Sequence, residues 1–346
     1  MEARAINCLY GGLIGDALGG RYEFDCTGLI DEDLQKFGLD SHWEILGQGV
    51  YDLGAGQVTD DSEMAMALAS SIIVSGKVTR TAIAQAYHNW YLSDPFDIGK
   101  STQNAVRYST ADQMIKAAKQ FDQNCLEQYQ SHNLSNGFLM RIGPLGVVCA
   151  GLITQNISAP ILIKQIVELV SEDTVLTHPS LTALTYSTTF IILLAFAIVD
   201  GKFDRGYQFV KQHLKSHGDC FHILDAGLNL DSKLAHDPRK QMGDVRIAFQ
   251  LAIRKAFLVQ SGQMSFEEAI VSTVKLGGDT DTNACIVGYL CGAVSSRIPQ
   301  KWINSVVSVA DGSAKDRYQK HKPNLLIKKI PYVSQILLTI GKEFSE

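Results

Sequence analysis

The chain has 346 residues, 36 acidic against 31 basic side chains and 46% hydrophobic residues, enough to bury a large core in one or two domains. A net charge of −5 argues against a polyanion partner, so no direct nucleic-acid binding is expected. Seven cysteines at irregular spacing with no C-x-x-C fit reduced thiols, and no basic, apolar and cleavage pattern opens the chain, so a cytoplasmic protein is expected.

Residues 3–19, ARAINCLYGGLIGDALG, read as a helix with Gly11, Gly15 and Gly19 on one face at steps of four. Glycine inside a helix costs about 1 kcal/mol against alanine, so three in register ask for close approach of another backbone or of a ligand. Asp16 lies within this stretch, as a cap, a paired acid or a site residue, and Glu23 adds a second carboxylate close behind.

A glycine-rich loop, residues 47–58, ends at Thr59-Asp60-Asp61, where an alanine- and methionine-rich helix begins over 62–74. Asp60 with Glu63 has the spacing of a capping box, so one of these carboxylates can be a cap alone. A helix over 79–91 precedes the turn at Asp94-Pro95, after which Ser101-Thr102 can cap the next helix. Asn136-Gly137 supplies a turn whose N–H groups can cradle phosphate, although most such pairs are only turns.

Thr177-His178-Pro179 opens a long uncharged segment, 181–199. Its first half is rich in hydroxyls and its strictly apolar part is too short to span a bilayer, so a buried core helix is expected and no membrane partner. His213 and His217 have helical i, i+4 spacing without the glutamate of H-E-x-x-H, and a solvated helix face is the expectation there. Ser265 and Glu268 form a capping box, Gly277-Gly278 stops that helix, and Asp279-Thr280-Asp281-Thr282 starts another. About a dozen segments fit helices, none shows strand alternation with hairpin turns, and no repeat or linker divides the chain. An all-α fold, one compact orthogonal helical domain over 1–346, is expected.

Thr59, Asp60, Asp61, Asp279, Asp281 and Thr282 make an all-oxygen set suited to Mg²⁺, Mn²⁺ or Ca²⁺. If the two stretches meet, their charges at close range call for protons or for two divalent cations.

Several pieces occur in one order: Gly15-Asp16-Ala17-Leu18-Gly19 with Tyr22-Glu23; Thr59-Asp60-Asp61; Asp97-Ile98-Gly99 with Ser101-Thr102; Asn136-Gly137 with Met140-Arg141; Thr177-His178; and Gly277-Gly278-Asp279-Thr280-Asp281-Thr282. In these the chain resembles the ADP-ribosylglycohydrolases, the family of dinitrogenase reductase-activating glycohydrolase and the ADP-ribosyl-acceptor hydrolases. The resemblance implies an all-α fold with two divalent cations, Mg²⁺ or Mn²⁺, held in a cleft by the six residues of the two acidic stretches. It implies hydrolysis at the anomeric carbon of the distal ribose of an ADP-ribosylated protein or conjugate, with arginine linkage slightly favoured. Glu23, Asp61 and Asp279 are the candidate catalytic carboxylates, with acid and base unassigned. Gly99, Ser101, Asn136, Gly137, Phe138 and His178 would hold the diphosphate and distal ribose.

Lys100 stands where many relatives carry a neutral polar residue, and Phe138-Leu139 replaces smaller residues, which leaves the phosphate and leaving-group pockets open. Other readings are a non-catalytic ADP-ribose-binding or crystallin-like protein of the same fold, from which intact ligands argue away, and another Mg²⁺-dependent all-α enzyme acting on diphosphates. A terpene synthase would want D-D-x-x-D, but position 64 is Met; a haloacid-dehalogenase-type phosphatase would want an apolar strand before Asp279. A monomer is expected.

Overall fold

A computed structural model describes residues 1–25, 28–38, 43–309 and 322–344. Two helices from opposite ends of the chain lie backbone against backbone: α1 (Glu2–Gly19) and α14 (Thr280–Val294). A Cβ placed on Gly11 would stand 2.1 Å from the Gly288 carbonyl oxygen, one on Gly15 2.0 Å from that of Ala284, and one on Gly19 2.4 Å from that of Thr280. As the residue number climbs in α1 it falls in α14, so the helices run antiparallel. The glycines at steps of four form the contact strip, and the expected close backbone approach is met. Its consequence is positional: the C-terminal end of α1, with Asp16, is fixed beside the N-terminal end of α14, with Asp281.

Between these come α2 (Leu29–Phe37), α3 (Asp60–Ser75), α4 (Arg80–Leu92), α5 (Lys100–Val106), α6 (Ala111–Tyr129), α7 (Gly143–Ile153), α8 (Ala159–Thr174) and α9 (Leu181–Asp200). Then follow α10 (Asp204–His213), α11 (Cys220–Leu228), α12 (Val245–Gln260), α13 (Phe266–Val274) and, after α14, α15 (Gln300–Ser308) and a C-terminal helix, Ile330–Lys342. Among the described residues there is no strand, only the isolated bridges Gln48–Leu53 and Ser135–Asp244, so the all-α expectation holds.

The apolar helix α9 is buried from Thr185 to Ile198 and sits in the interior. The helix α7 packs on it, with Gly146 under the Leu194 side chain, and Gly341 of the C-terminal helix meets the Val148 carbonyl of α7 in a second close crossing. Six described cysteines are free thiols; Cys26 lies outside the described residues.

Several local expectations change. Asp60 and Glu63 form no capping box: Thr59 is the N-cap, and Glu63 turns inward to accept from Trp90 Nε1 at 2.7 Å and Asn324 Nδ2 at 3.1 Å. Gly99, not Ser101-Thr102, caps α5, because Ser101 Oγ is directed to Asn133 Oδ1 at 3.2 Å. After Thr177-His178-Pro179, Ser180 caps α9, accepting from Ala183 N. His213 ends α10 and Leu214 is extended, so His213 and His217 share no helix face. The Ser265–Glu268 box forms as expected.

Gly15→Ala should lower stability by about 2 kcal/mol although alanine is intrinsically the better helix former, because the crossing must open. Thermal unfolding measures it; an unchanged or raised melting temperature would contradict the close packing.

Candidate active site

The two acidic stretches meet. Asp16, held by the crossing, caps α3: its carboxylate accepts from Thr59 N at 3.0 Å, from Ser62 N at 3.0 Å and from Thr59 Oγ at 2.9 Å. This fixes Asp60 and Asp61 at the start of α3, and Thr282 Oγ of α14 lies 3.4 Å from Asp61 Oδ2. Thr59 Oγ is also 3.0 Å from Asp61 Oδ2, so it faces two carboxylates with one proton.

Among the described residues, three-residue groups with carboxylate oxygens all within 4.8 Å of one another form twice: Asp16, Asp61 and Asp281, and Glu23, Asp279 and Asp281. Asp281 belongs to both. Glu23 arrives on the turn after α1, where the next residue, Phe24, donates its N–H to the Gly278 carbonyl at 3.0 Å.

Such crowding shows in the acidities. Burial, then Asp97 and Asp279, pushes the Glu23 carboxyl up from its ordinary 4.5 to about 9. Asp16 rises to about 6 through burial, partly offset by hydrogen bonds from Ser62 and Thr59. Burial and neighbouring acids raise Asp60, Asp61 and Asp281 above their ordinary values, and burial raises Asp97 despite the hydrogen bond from Tyr51. Glu23 Oε2, Asp61 Oδ1 and Asp279 Oδ1 are buried with no hydrogen-bond partner among the described residues. Orphaned carboxylate oxygens beside one another fit hard divalent cations, which take oxygen donors and neutralise several charges at once.

Above this floor opens a cleft of about 550 Å³, a size that suits a small organic ligand. Glu23, Asp60, Asp279, Asp281 and Thr282 form its acidic lining, and Gly99, Lys100, Ser101, Asn136 and Gly137 line another part of its wall. Thr59 and Asp61 are fully buried just beneath. Gly99 and Gly137 have ordinary backbone angles, and at Gly99 a Cβ would meet nothing within 4 Å. The protein's own packing therefore does not require glycine there, which leaves room for a ligand to approach the backbone. Asn136 does more than turn the chain: its Nδ2 donates to Asp279 Oδ2 at 2.8 Å, tying the two walls together.

Phe138 and His178 do not reach the cleft. Both are fully buried and pack on each other with ring centroids 4.9 Å apart. His178 touches Thr177 Oγ through Nδ1 (2.9 Å) and Ser135 Oγ through Nε2 (2.7 Å), and burial next to Arg141 depresses its pKa, keeping it neutral. Behind it Arg141 pairs with Asp173, Arg141 Nη2 donates to Thr177 Oγ, and Ser135 Oγ reaches Ser101 Oγ at 3.2 Å. The histidine thus supports the cleft wall from behind, through its hydrogen bond with Ser135.

The sequence reading left Asp97, Tyr51, Phe24 and Met242 without roles, yet all line the cleft. Asp97 accepts from Tyr51 at 3.0 Å and shares a hydrogen bond with Asp60. It stands two residues before Gly99 in the Asp97-Ile98-Gly99 segment, so its place in that motif is the signal for its position in the cleft.

The sequence model of the ADP-ribosylglycohydrolase family matches residues 1–325. A putative ADP-ribosyl glycohydrolase of Acanthamoeba polyphaga mimivirus is 31% identical over 93% of this chain and 95% of its own length. ADP-ribosylarginine hydrolase Tri1 of Serratia proteamaculans is 24% identical over 88% of this chain and 77% of its own. Among solved structures, a chain of an ADP-ribosylglycohydrolase-related protein complex superposes with a TM-score of 0.62 at 22% identity, covering 95% of this chain and 98% of that one.

A carboxyl whose pKa is higher folded than unfolded keeps more protons in the folded state, so stability falls as pH rises between the two values. For Glu23 that window runs from 4.5 to about 9. Without divalent cation the melting temperature should therefore fall from pH 5 to pH 9. Mg²⁺ should raise it, and more at pH 8 than at pH 5. A Mg²⁺ effect of equal size at both pH values would contradict the assignment of these acids as one cation-responsive cluster. These features, with the family match over most of the chain, place it in the ADP-ribosylglycohydrolase family.

Proposed function

We propose that the protein is a metal-dependent hydrolase that releases ADP-ribose from ADP-ribosylated protein, with arginine-linked ADP-ribose as the preferred substrate. The observation that carries this reading is the set of orphaned carboxylate oxygens at one end of a cleft whose other wall offers backbone and hydroxyl groups. Two divalent cations, Mg²⁺ or Mn²⁺, would be held by Thr59, Asp60, Asp61, Asp279, Asp281 and Thr282. When bound they would supply Lewis-acid polarisation and neutralise the buried acids.

The remaining chemistry belongs to the chain. Gly99, Ser101, Asn136 and Gly137 would seat the diphosphate and distal ribose, so that the anomeric carbon faces the acids. The bond from that carbon to the acceptor nitrogen or oxygen breaks, and the water oxygen bonds to the carbon. One water proton passes to a carboxylate, and the departing atom takes up a proton. Glu23 and Asp279, which reach the cleft, and Asp61 beneath it are the carboxylates proposed for these transfers and for stabilising the oxocarbenium-like transition state. The arginine preference is supported by the Asp97-Ile98-Gly99 segment and by likeness to an ADP-ribosylarginine hydrolase.

Residues 1–346 are proposed to work as one domain, supported by a buried apolar cluster that runs from Ala5 to Leu338. A cytoplasmic monomer remains part of the proposal, supported by the unpaired cysteines for the compartment alone.

Asp279→Asn and Asp61→Asn should each cut metal-dependent release of ADP-ribose from modified protein by at least about 100-fold, with circular dichroism unchanged. Full activity of both variants with metal present would refute the site, and tight ADP-ribose binding by the wild-type protein without release would point to a non-catalytic binder.

A further inference from the structure

Two large apolar side chains stand in the open on the rim of the acidic end. Phe24 is 46% exposed and Met242 47%, and both line the cleft. They flank one residue. The Phe24 N–H donates to the Gly278 carbonyl, and Met242 Cγ lies 3.2 Å from where a Cβ on Gly278 would sit. Asp279 follows Gly278 directly and Glu23 precedes Phe24 directly, so the apolar pair is bracketed by two buried carboxylates that each keep an oxygen without a partner among the described residues.

Phe24 also holds an unfavourable backbone. Its φ is +53°, the left-handed region that a bulky non-glycine residue rarely adopts. A residue in that conformation with nearly half its surface in water gains little for folding, since the protein obtains neither relaxed backbone nor full burial from it. Glycine or asparagine would serve the turn better. Strain of this kind collects at ligand sites.

We infer that Phe24 and Met242 form the acceptor subsite, a lip that takes the flat, cationic guanidinium side chain from which ADP-ribose is removed. The inference rests on the hydrolase reading above. With the distal ribose against the acids and the diphosphate on the Gly99–Gly137 wall, the acceptor leaves over the acidic rim, where Phe24 and Met242 stand. An aromatic face beside carboxylates attracts a guanidinium by stacking and by charge, and a thioether packs on the same flat group. A serine acceptor, short and neutral, would gain from neither. The lip therefore selects the linkage, while the acids act on the ribose common to every linkage.

Steady-state release of ADP-ribose from two peptides, modified on arginine and on serine, tests this with wild type, Phe24→Gly, Phe24→Leu and Met242→Ala. Phe24→Gly relieves the backbone and should leave the melting temperature unchanged or raised, so a loss of rate is not a loss of fold. The kcat/KM on the arginine-linked peptide should fall about five-fold in Phe24→Gly and about two- to three-fold in Phe24→Leu and in Met242→Ala. The serine-linked peptide should change less than two-fold, and the affinity for free ADP-ribose should not move. Equal losses on both peptides, no loss on either, or a wild-type preference for the serine linkage would overturn the lip while leaving the hydrolase reading standing. No release from either peptide by the wild-type protein would overturn the hydrolase reading and the lip with it.

Discussion

Direct backbone contact between α1 and α14 is the constraint on which the site depends. Side chains normally keep packed helices 8–10 Å apart, and removing them along Gly11, Gly15, Gly19 and Gly288 lets main-chain atoms touch. Each glycine weakens its own helix by about 1 kcal/mol, a loss offset by close packing along the whole crossing. The antiparallel register then puts the end of one helix against the start of the other. Thr280 Oγ donates to the Gly19 carbonyl at 2.7 Å and locks the junction. Asp16 and Asp281 stand beside that junction because the crossing leaves them no alternative.

From there the acids recruit one another's scaffolds. Asp16 is spent largely on holding the start of α3, which in turn delivers Asp60 and Asp61; Asn136 reaches across to Asp279 and carries the opposite wall with it. The result is a folded state with more carboxylates than it can ionise at once. A core built for stability alone would avoid this, since buried like charges resist ionisation. Here they are gathered at the acidic lining of a cleft, where groups of three carboxylates stand close enough to share a cation. Behind the other wall, Arg141, Thr177 and His178 form a buried polar support that ends on Ser135.

The sequence made much of this legible. Glycines at steps of four announced a close approach along one face of α1, by another backbone or by a ligand, and the structure shows it to be the backbone of α14. Thr59-Asp60-Asp61 and the Asp279–Thr282 stretch announced oxygen donors at helix starts. Their meeting was implied only by family resemblance, since no local pattern encodes a contact between residues so far apart in the chain. The capping assignments failed where a distant partner outcompeted the local one: Asp16 displaced the Asp60–Glu63 box, and Trp90 with Asn324 drew Glu63 inward. Phe138 and His178 carried the right neighbourhood and the wrong contact, because burial depth cannot be read from a motif. Phe24 gave no signal at all, for a left-handed φ on a phenylalanine is visible only in the folded chain.

The most direct test of the central claim is an anomalous difference map from crystals grown with Mn²⁺ and ADP-ribose. The expected result is manganese peaks beside the carboxylates of the cluster around Asp281, with hydroxyls of the distal ribose next to them. Absence of manganese from that end of the cleft, or ADP-ribose bound with its distal ribose turned away from the acids, would contradict it.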